Sequence, residues 1–297
     1  MTETGLVLID GEPCALETAR VSVFDRGFLY GDSVFEALRT YAGKPFGLGE
    51  HMARLMRSAR LVGITPPLSQ EAFEREVARG IELAGLPECY VRVLLTRGRA
   101  DKLGLSTALA GGPLRVIFVL PLELPSASKY ETGIAAVTYR TQRLADGTSA
   151  AGAKLGNYLV SVLAIEQARS AGAEEAVMVD HRGKVLEGAT SNLFLVSNGR
   201  LMTPPLSEDI LAGITRHHVI ELAKELGLAV EERTISSEEL AAGDELFLSS
   251  SIRELLPIVK LDGATIGSGR PGPVYNKLLV AFRERARTLA VAEAAAR

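Results

Sequence analysis

Pro121-Leu122-Glu123-Leu124-Pro125-Ser126-Ala127-Ser128 carries two prolines and two serines and shows no helical periodicity. Proline fixes φ and lacks a backbone donor, so such a stretch reads as a connection between domains. We place the linker at residues 123–129, with a small domain over residues 1–122 and a larger one over 130–297. The length agrees, because 297 residues exceed the roughly 100–200 that one domain usually holds.

Working outward, Leu114–Leu120 and Tyr90–Thr96 are rich in Val, Leu and Ile and read as strands. Before them two helices are expected. One carries Met52, Leu55, Met56 and Ala59 at helical spacing; the next opens after Ser69, a good N-cap, and stops at Gly85. Leu6 to Tyr41 reads as strands joined by turns, with Asp10-Gly11 a hairpin signal. Beyond the linker come a strand at Ile134–Tyr139, a helix from about Asn157 to Ala171 and a strand pair from Ala176 to Val196. A turn at Asn198-Gly199, a helix from Gly213-Ile214-Thr215 to Gly227, a strand at Glu245–Ser249 and a helix from Pro273 into an alanine-rich tail complete the series. Strands and helices mix without strict alternation in both halves, which predicts an α+β fold.

Composition narrows the function classes. The chain is 47% apolar and 23% charged, with no apolar run near the roughly 18 residues of a membrane span. Met1-Thr2-Glu3-Thr4-Gly5 has neither the basic start nor the apolar stretch of a signal peptide, so a cytoplasmic location is expected. A net charge of -3 offers no basic field for nucleic acid. Cys14 and Cys89 are too few for a disulfide framework and belong to no metal-ligand cluster, so no metal is expected. A small-molecule ligand fits best.

Four places in the sequence carry chemistry. Lys154 lies in Ala150-Ala151-Gly152-Ala153-Lys154-Leu155-Gly156-Asn157, where small neighbours leave room for a flat ring beside its amine. Burial favours the neutral amine, the form that attacks an aldehyde; the alternative is a lysine that reaches solvent. In Val185-Leu186-Glu187-Gly188-Ala189-Thr190-Ser191-Asn192-Leu193-Phe194, Glu187 interrupts an apolar strand, placed either to pair with a protonated ring nitrogen or to sit at a surface strand end. Leu211-Ala212-Gly213-Ile214-Thr215-Arg216 opens a helix whose free N–H groups suit a phosphate, as many helix starts do. Arg54, in a helix bearing His51, offers a bidentate grip on phosphate oxygens or a solvated guanidinium.

Together with Asp25-Arg26-Gly27-Phe28-Leu29-Tyr30-Gly31-Asp32-Ser33-Val34-Phe35-Glu36, Glu50-His51-Met52-Ala53-Arg54-Leu55, Lys154-Leu155-Gly156-Asn157-Tyr158-Leu159 and Ser249-Ser250-Ser251-Ile252-Arg253-Glu254, these motifs resemble the fold-type IV aminotransferases. That group holds branched-chain and D-amino acid aminotransferases and aminodeoxychorismate lyase. The resemblance spans nearly the whole chain, and the motifs occur in the family's order. It implies a two-domain enzyme using pyridoxal 5'-phosphate in the interdomain cleft, a homodimer or higher homo-oligomer, acting on amino acids and 2-oxo acids. It further implies Lys154 as the Schiff-base and proton-shuttling lysine, Glu187 at the pyridine nitrogen, Tyr158 on the phenolic oxygen and Arg54 on the phosphate. Ile214, Thr215 and Ser250 or Ser251 would complete the phosphate cup, and Asn192 joins the cofactor-binding residues.

Cys89-Tyr90-Val91-Arg92-Val93 resembles the Tyr-x-Arg segment of branched-chain aminotransferases. This implies Tyr90 and Arg92 at the substrate carboxylate, Tyr30 and Phe35 in the side-chain pocket, and Arg39, Arg97 and Arg253 as reserve anchors. Lys102 and Gly104 stand where the D-amino acid enzymes carry an Arg-x-His trap, which points to L-substrates. Thr96-Arg97-Gly98 and Asp25-Arg26-Gly27 resemble the D-amino acid and lyase branches instead, and Ala37 stands where those lyases tend to carry threonine. A D-amino acid aminotransferase, an aminodeoxychorismate lyase and a non-catalytic cofactor-binding module therefore stay open as alternatives.

Overall fold

The computed structural model describes residues 5–141, 150 and 152–295. The opening Met1–Thr4, Ala151 and the last two residues of the alanine-rich tail lie outside the described residues. The chain divides into two compact units. The first comprises Met1–Glu123, Ala153–Tyr158 and Ala286–Arg297; the second comprises Leu124–Gly152 and Leu159–Arg285.

In the first unit the order is β1 (Leu6–Ile9), β2 (Glu12–Cys14), α1 (Arg26–Tyr30), β3 (Ser33–Tyr41), β4 (Lys44–Pro45), α2 (Leu48–Leu61), α3 (Gln70–Ala84), β5 (Cys89–Thr96) and β6 (Leu114–Pro121). The strands form one antiparallel sheet in the order β2-β1-β6-β5-β3-β4. Alternation along β5 sends Cys89, Val91, Val93 and Leu95 into the core with Met52, Leu55, Phe73 and Val77 of α2 and α3, and turns Tyr90, Arg92 and Leu94 to the other face. Ser69 caps α3 by accepting a hydrogen bond from Ala72 N, and Gly85 ends it in the left-handed region.

The second unit continues with α4 (Ala127–Thr132), β7 (Ile134–Arg140), α5 (Leu159–Ser170), β8 (Glu175–Val179), β9 (Val185–Gly188), β10 (Asn192–Ser197), β11 (Arg200–Thr203) and α6 (Ile214–Glu225). After these come β12 (Ala229–Glu232), α7 (Ser237–Ala241), β13 (Glu245–Ser250), β14 (Glu254–Leu261), β15 (Ala264–Thr265) and α8 (Pro273–Ala295). The sheet is mixed and runs β12-β11-β10-β13-β14-β7-β8-β9, with β15 added on β14. The architecture is α+β.

Several boundaries differ from the sequence reading. Residues 153–158 belong to the first unit, not to the second half of the chain, because Val34 and Leu155 form a β-bridge flanked by Phe35 N–Lys154 O and Gly156 N–Ser33 O hydrogen bonds. The expected linker contains the start of α4, and α5 begins at Leu159, after a Tyr158 N–Gly156 O turn. The region read as a strand pair holds three strands, β8, β9 and β10, because turns at Asp180–Lys184 and Gly188–Ser191 break it twice. Among the described residues, no helix is long and apolar enough to cross a membrane.

Candidate functional site

Lys154 is held on its backbone before its side chain is considered. Its N–H donates to Ser58 Oγ of α2 at 3.1 Å and its C=O accepts from Phe35 N at 3.1 Å. A Cβ on Gly156 would fall 2.0 Å from Ser33 Oγ, so the close approach of this segment to β3 requires glycine there. The amine lies 3.2 Å from the Tyr158 hydroxyl and 4.6 Å from the centre of the Phe35 ring. Tyr158 meets Phe35 edge-on at 5.1 Å. The Arg92 guanidinium carbon lies 4.0 Å from the same ring centre. The register explains this, since Phe35 opposes Leu94 and Ala37 opposes Arg92, making Phe35 and Arg92 diagonal neighbours on one face. Tyr90 opposes Arg39 two residues further along; Arg39 is buried, its guanidinium 4.3 Å from the centre of the Tyr41 ring. Tyr30 lies at the end of α1, where its hydroxyl accepts from Gly104 N at 3.1 Å.

Arg54 projects from α2 onto the buried Glu36 of β3: Nε and Nη2 reach Oε1 and Oε2, each at 2.7 Å, while His51 Nδ1 lies 2.7 Å from Oε2. Burial by itself would raise the Glu36 pKa, but the guanidinium and the His51 hydrogen bond outweigh it and hold the carboxyl at about 2. Burial pulls His51 below its ordinary value, so the imidazole is neutral and donates through Nδ1 to an acceptor-only carboxylate. Burial opposes the charge on Arg54, and Glu36 more than restores it.

The second unit gathers a different set. Glu187 Oε2 accepts from Leu211 N at 3.1 Å, and Asn192 Nδ2 donates to Leu211 O at 2.9 Å and lies 3.5 Å from Glu187 Oε2. This ties β9, β10 and the approach to α6 together. Gly213 caps α6 with no side-chain hydrogen bond, and a Cβ there would fall 1.9 Å from Asn192 Oδ1. Ile214 and Thr215 are buried in the first turn. Among the described residues, the buried hydroxyls of Thr215 and Ser249 have no hydrogen-bond partner. Ser249 is paired with Asn192 in the sheet, and α6 packs against β13, which carries it. Ser250 Oγ accepts from Arg253 N at 3.2 Å, and Ser251 follows in the β13–β14 turn.

Two of the arginines named as reserve anchors are committed elsewhere. Arg97 donates to Asp32 Oδ2, Gly63 O and Val62 O at 2.8, 2.7 and 2.7 Å. Arg253 Nη2 lies 2.6 Å from Oε2 of the buried Glu175 and 3.1 Å from Thr190 Oγ1. Both brace loops, because a guanidinium beside a carboxylate is held in an ion pair. The sequence reading does not single out Glu36, Ser58, Leu211 or Ser249. Only a polar residue interrupting an apolar stretch, as Glu36 does between Val34 and Leu38, signals such positions.

Residues 33–261 match the family model for amino-transferase class IV. The chain belongs to the class IV aminotransferases. It is 40% identical over 278 residues to a putative branched-chain-amino-acid aminotransferase of Methanocaldococcus jannaschii, covering 94% of this chain and 95% of that one. It is 31% identical over 282 residues to a D-alanine aminotransferase of Bacillus licheniformis, covering 93% and 95%. The crystal structure of the Escherichia coli branched-chain amino acid aminotransferase superposes with a TM-score of 0.89 at 35% identity, covering 96% of each chain. The branched-chain amino acid aminotransferase from Thermobaculum terrenum, in its PLP-bound holo-form, gives 0.84 at 27% identity, covering 96% of this chain and 95% of that one. This class IV aminotransferase is a fold-type IV, pyridoxal-phosphate-dependent enzyme. Its residues fit the cofactor. The unpartnered hydroxyls of Thr215 and Ser249, with the open N-terminus of α6, are donors suited to phosphate oxygens, and Lys154 supplies the amine an aldehyde needs.

Proposed function

We propose that this enzyme transfers the amino group of branched-chain and other aliphatic L-amino acids to 2-oxo acids. The observation that carries the reading is the Phe35 ring, which has the Lys154 amine 4.6 Å and the Arg92 guanidinium 4.0 Å from its centre. A reactive amine, an apolar wall and a cation suited to a carboxylate thus share one sheet face. Bound pyridoxal phosphate supplies an aldehyde that takes up the amino group and a ring that accepts electrons from the α-carbon. Lys154 Nζ would take the α-proton and return it two atoms away, on the far side of the amino nitrogen, with the Tyr158 hydroxyl at 3.2 Å orienting the amine. Glu187, steadied by Leu211 N and Asn192, keeps the ring nitrogen protonated. Arg54, Ile214, Thr215, Ser249 and the Ser250-Ser251 pair hold the phosphate. Arg92 and Tyr90 seat the substrate carboxylate, and Tyr30 and Phe35 admit the aliphatic side chain. The 40% identical relative named as a branched-chain enzyme supports the substrate class. Lys102 and Gly104 in place of an Arg-x-His trap support the L-hand.

Two half-reactions through one site predict ping-pong kinetics. A screen of L- and D-amino acids and (R)-1-phenylethylamine, followed by the spectral change of the bound cofactor, tests the proposal. We expect L-leucine, L-isoleucine and L-valine to react fastest. Preference for D-alanine would move the enzyme to the D-amino acid branch. Pyruvate release from aminodeoxychorismate without a 2-oxo acid acceptor would make it a lyase, and no spectral change with any amine would leave a binding module. We further propose a homodimer acting in the cytoplasm.

A further inference from the structure

We infer that Glu36 and His51 are positioning residues that aim the Arg54 guanidinium at the cofactor's phosphate. The inference rests on the proposed phosphate role of Arg54 and assigns the two buried groups behind it.

Glu36 lies on the core side of β3 between Val34 and Leu38, fully buried, where alternation alone calls for an aliphatic residue. Its two oxygens accept three N–H groups: Arg54 Nε and Nη2 and His51 Nδ1, all at 2.7 Å. His51 and Arg54 are three residues apart on α2 and therefore share a face. The carboxylate and guanidinium cancel and the imidazole is neutral, so the cluster is buried without net charge. A buried ion pair adds little stability over well-packed apolar side chains, whereas it fixes geometry strongly. The side-on Glu36 pairing through Nε and Nη2 fixes the plane and direction in which the guanidinium would meet a phosphate. His51 adds a second contact to Oε2, the oxygen that Arg54 Nη2 also bonds, and so restrains the carboxylate against rotation. One helical turn beyond Arg54, Ser58 Oγ holds the Lys154 backbone at 3.1 Å, so a single helix sets both the arginine and the lysine. Preorganised groups of this kind bind without paying for reorientation.

The test uses the full-length chain stripped of cofactor and titrated in parallel with pyridoxamine 5'-phosphate and with phosphate-free pyridoxamine. The readout is the ratio of the two dissociation constants, which isolates the phosphate; turnover is not required. His51→Leu should lower the phosphate preference about tenfold, the lower end for loss of a group that orients a ligand-binding residue. Pyridoxamine binding should be unchanged. His51→Asn, whose amide N–H stands close to the place of Nδ1, should restore the preference. Glu36→Gln should lower it further; if that variant does not fold, the His51 pair still decides. Equal weakening of both ligands, or no change, in His51→Leu would reduce the cluster to a structural role and overturn the inference. If Arg54→Gln still abolished the preference, the phosphate role of Arg54 would stand alone. If Arg54→Gln left the preference intact, that role would fall, and this inference with it.

Discussion

The residues around Lys154 and those around Glu187 follow different plans. In the unit that holds Lys154 the polar groups are paired within the protein: the buried Glu36 with Arg54 and His51, and the half-buried Asp32 with Arg26 and Arg97. In the unit that holds Glu187, on α6 and β13, Thr215 and Ser249 keep buried hydroxyls without partners among the described residues. Buried polar groups are normally satisfied, and an unmade hydrogen bond costs about 1–3 kcal/mol. The first region is therefore complete as folded, while the second holds buried donors that no described residue satisfies. In the proposed site the first region contributes an Arg54 already fixed by its partners, and the second contributes donors that a phosphate would satisfy.

The largest expected effect lies in the region that is complete. Lys154→Ala should abolish transamination and the colour of the loaded enzyme while the thermal melt stays near that of the parent, because the side chain is half-buried and its amine makes one hydrogen bond. Retention of turnover would remove Lys154 from the chemistry. Next, Glu187→Gln should lower turnover about 10²-fold or more. Its amide oxygen can still accept from Leu211 N, so folding should survive. Single-turnover rates with L-leucine measure the loss, and an unchanged rate would take Glu187 away from the ring nitrogen.

Acid separates the two regions by stability. Glu36 falls from an ordinary 4.5 to about 2, so its contribution is complete above 4.5 and is lost as pH falls towards 2. The amount is on the order of 3 kcal/mol. His51, held below its ordinary 6.5 chiefly by burial, acts with the same sign: stability is present above 6.5 and declines as protons are taken up preferentially by the unfolded chain. Denaturant titrations across this range should show an acid limb that Glu36→Gln flattens and Thr215→Val leaves alone. The smallest effect is also the most direct comparison of the regions. Thr40 Oγ1 donates to Glu88 Oε2 at 2.5 Å and accepts from Cys89 N at 2.7 Å, so Thr40→Val should destabilise by roughly 1–3 kcal/mol. Thr215→Val should leave the cofactor-free chain as stable or slightly more so, and weaken cofactor binding about tenfold. Equal destabilisation by both substitutions would erase the distinction.

Much of the fold is legible because its signals are local. β5 shows a period of two and α3 has both caps in sequence, Ser69 and Gly85. β14 is hidden by Pro257, which argues against a central strand. The structure accommodates it because pairing with β7 begins only at Ile258, so the missing donor interrupts no bond to that neighbour. α1 is only five residues long and depends on Asp25 at one end and a left-handed Gly31 at the other. For the site, Lys154 and Tyr158 are legible from their motif and meet in the fold. The motif names Ser250 and Ser251 and passes over Ser249, whose buried and unpartnered hydroxyl becomes visible only once β13 is packed among its neighbours. Glu36 and His51 lie fifteen residues apart, and only tertiary packing makes a cluster of them.

The placement of residues 153–158 in the first unit sets an order on synthesis. A ribosome releases the sheet residues up to Pro121 before it has made the segment that pairs with Ser33–Phe35. At about 5–20 residues per second, the first unit waits for several seconds with that end of β3 paired to β5 on one side and uncovered on the other. Open strand ends invite pairing with other chains. A fragment ending at Glu123 should therefore self-associate, one in which residues 153–158 are joined to Glu123 by a flexible linker should do so less, and sedimentation of the two would measure the protection given by six residues.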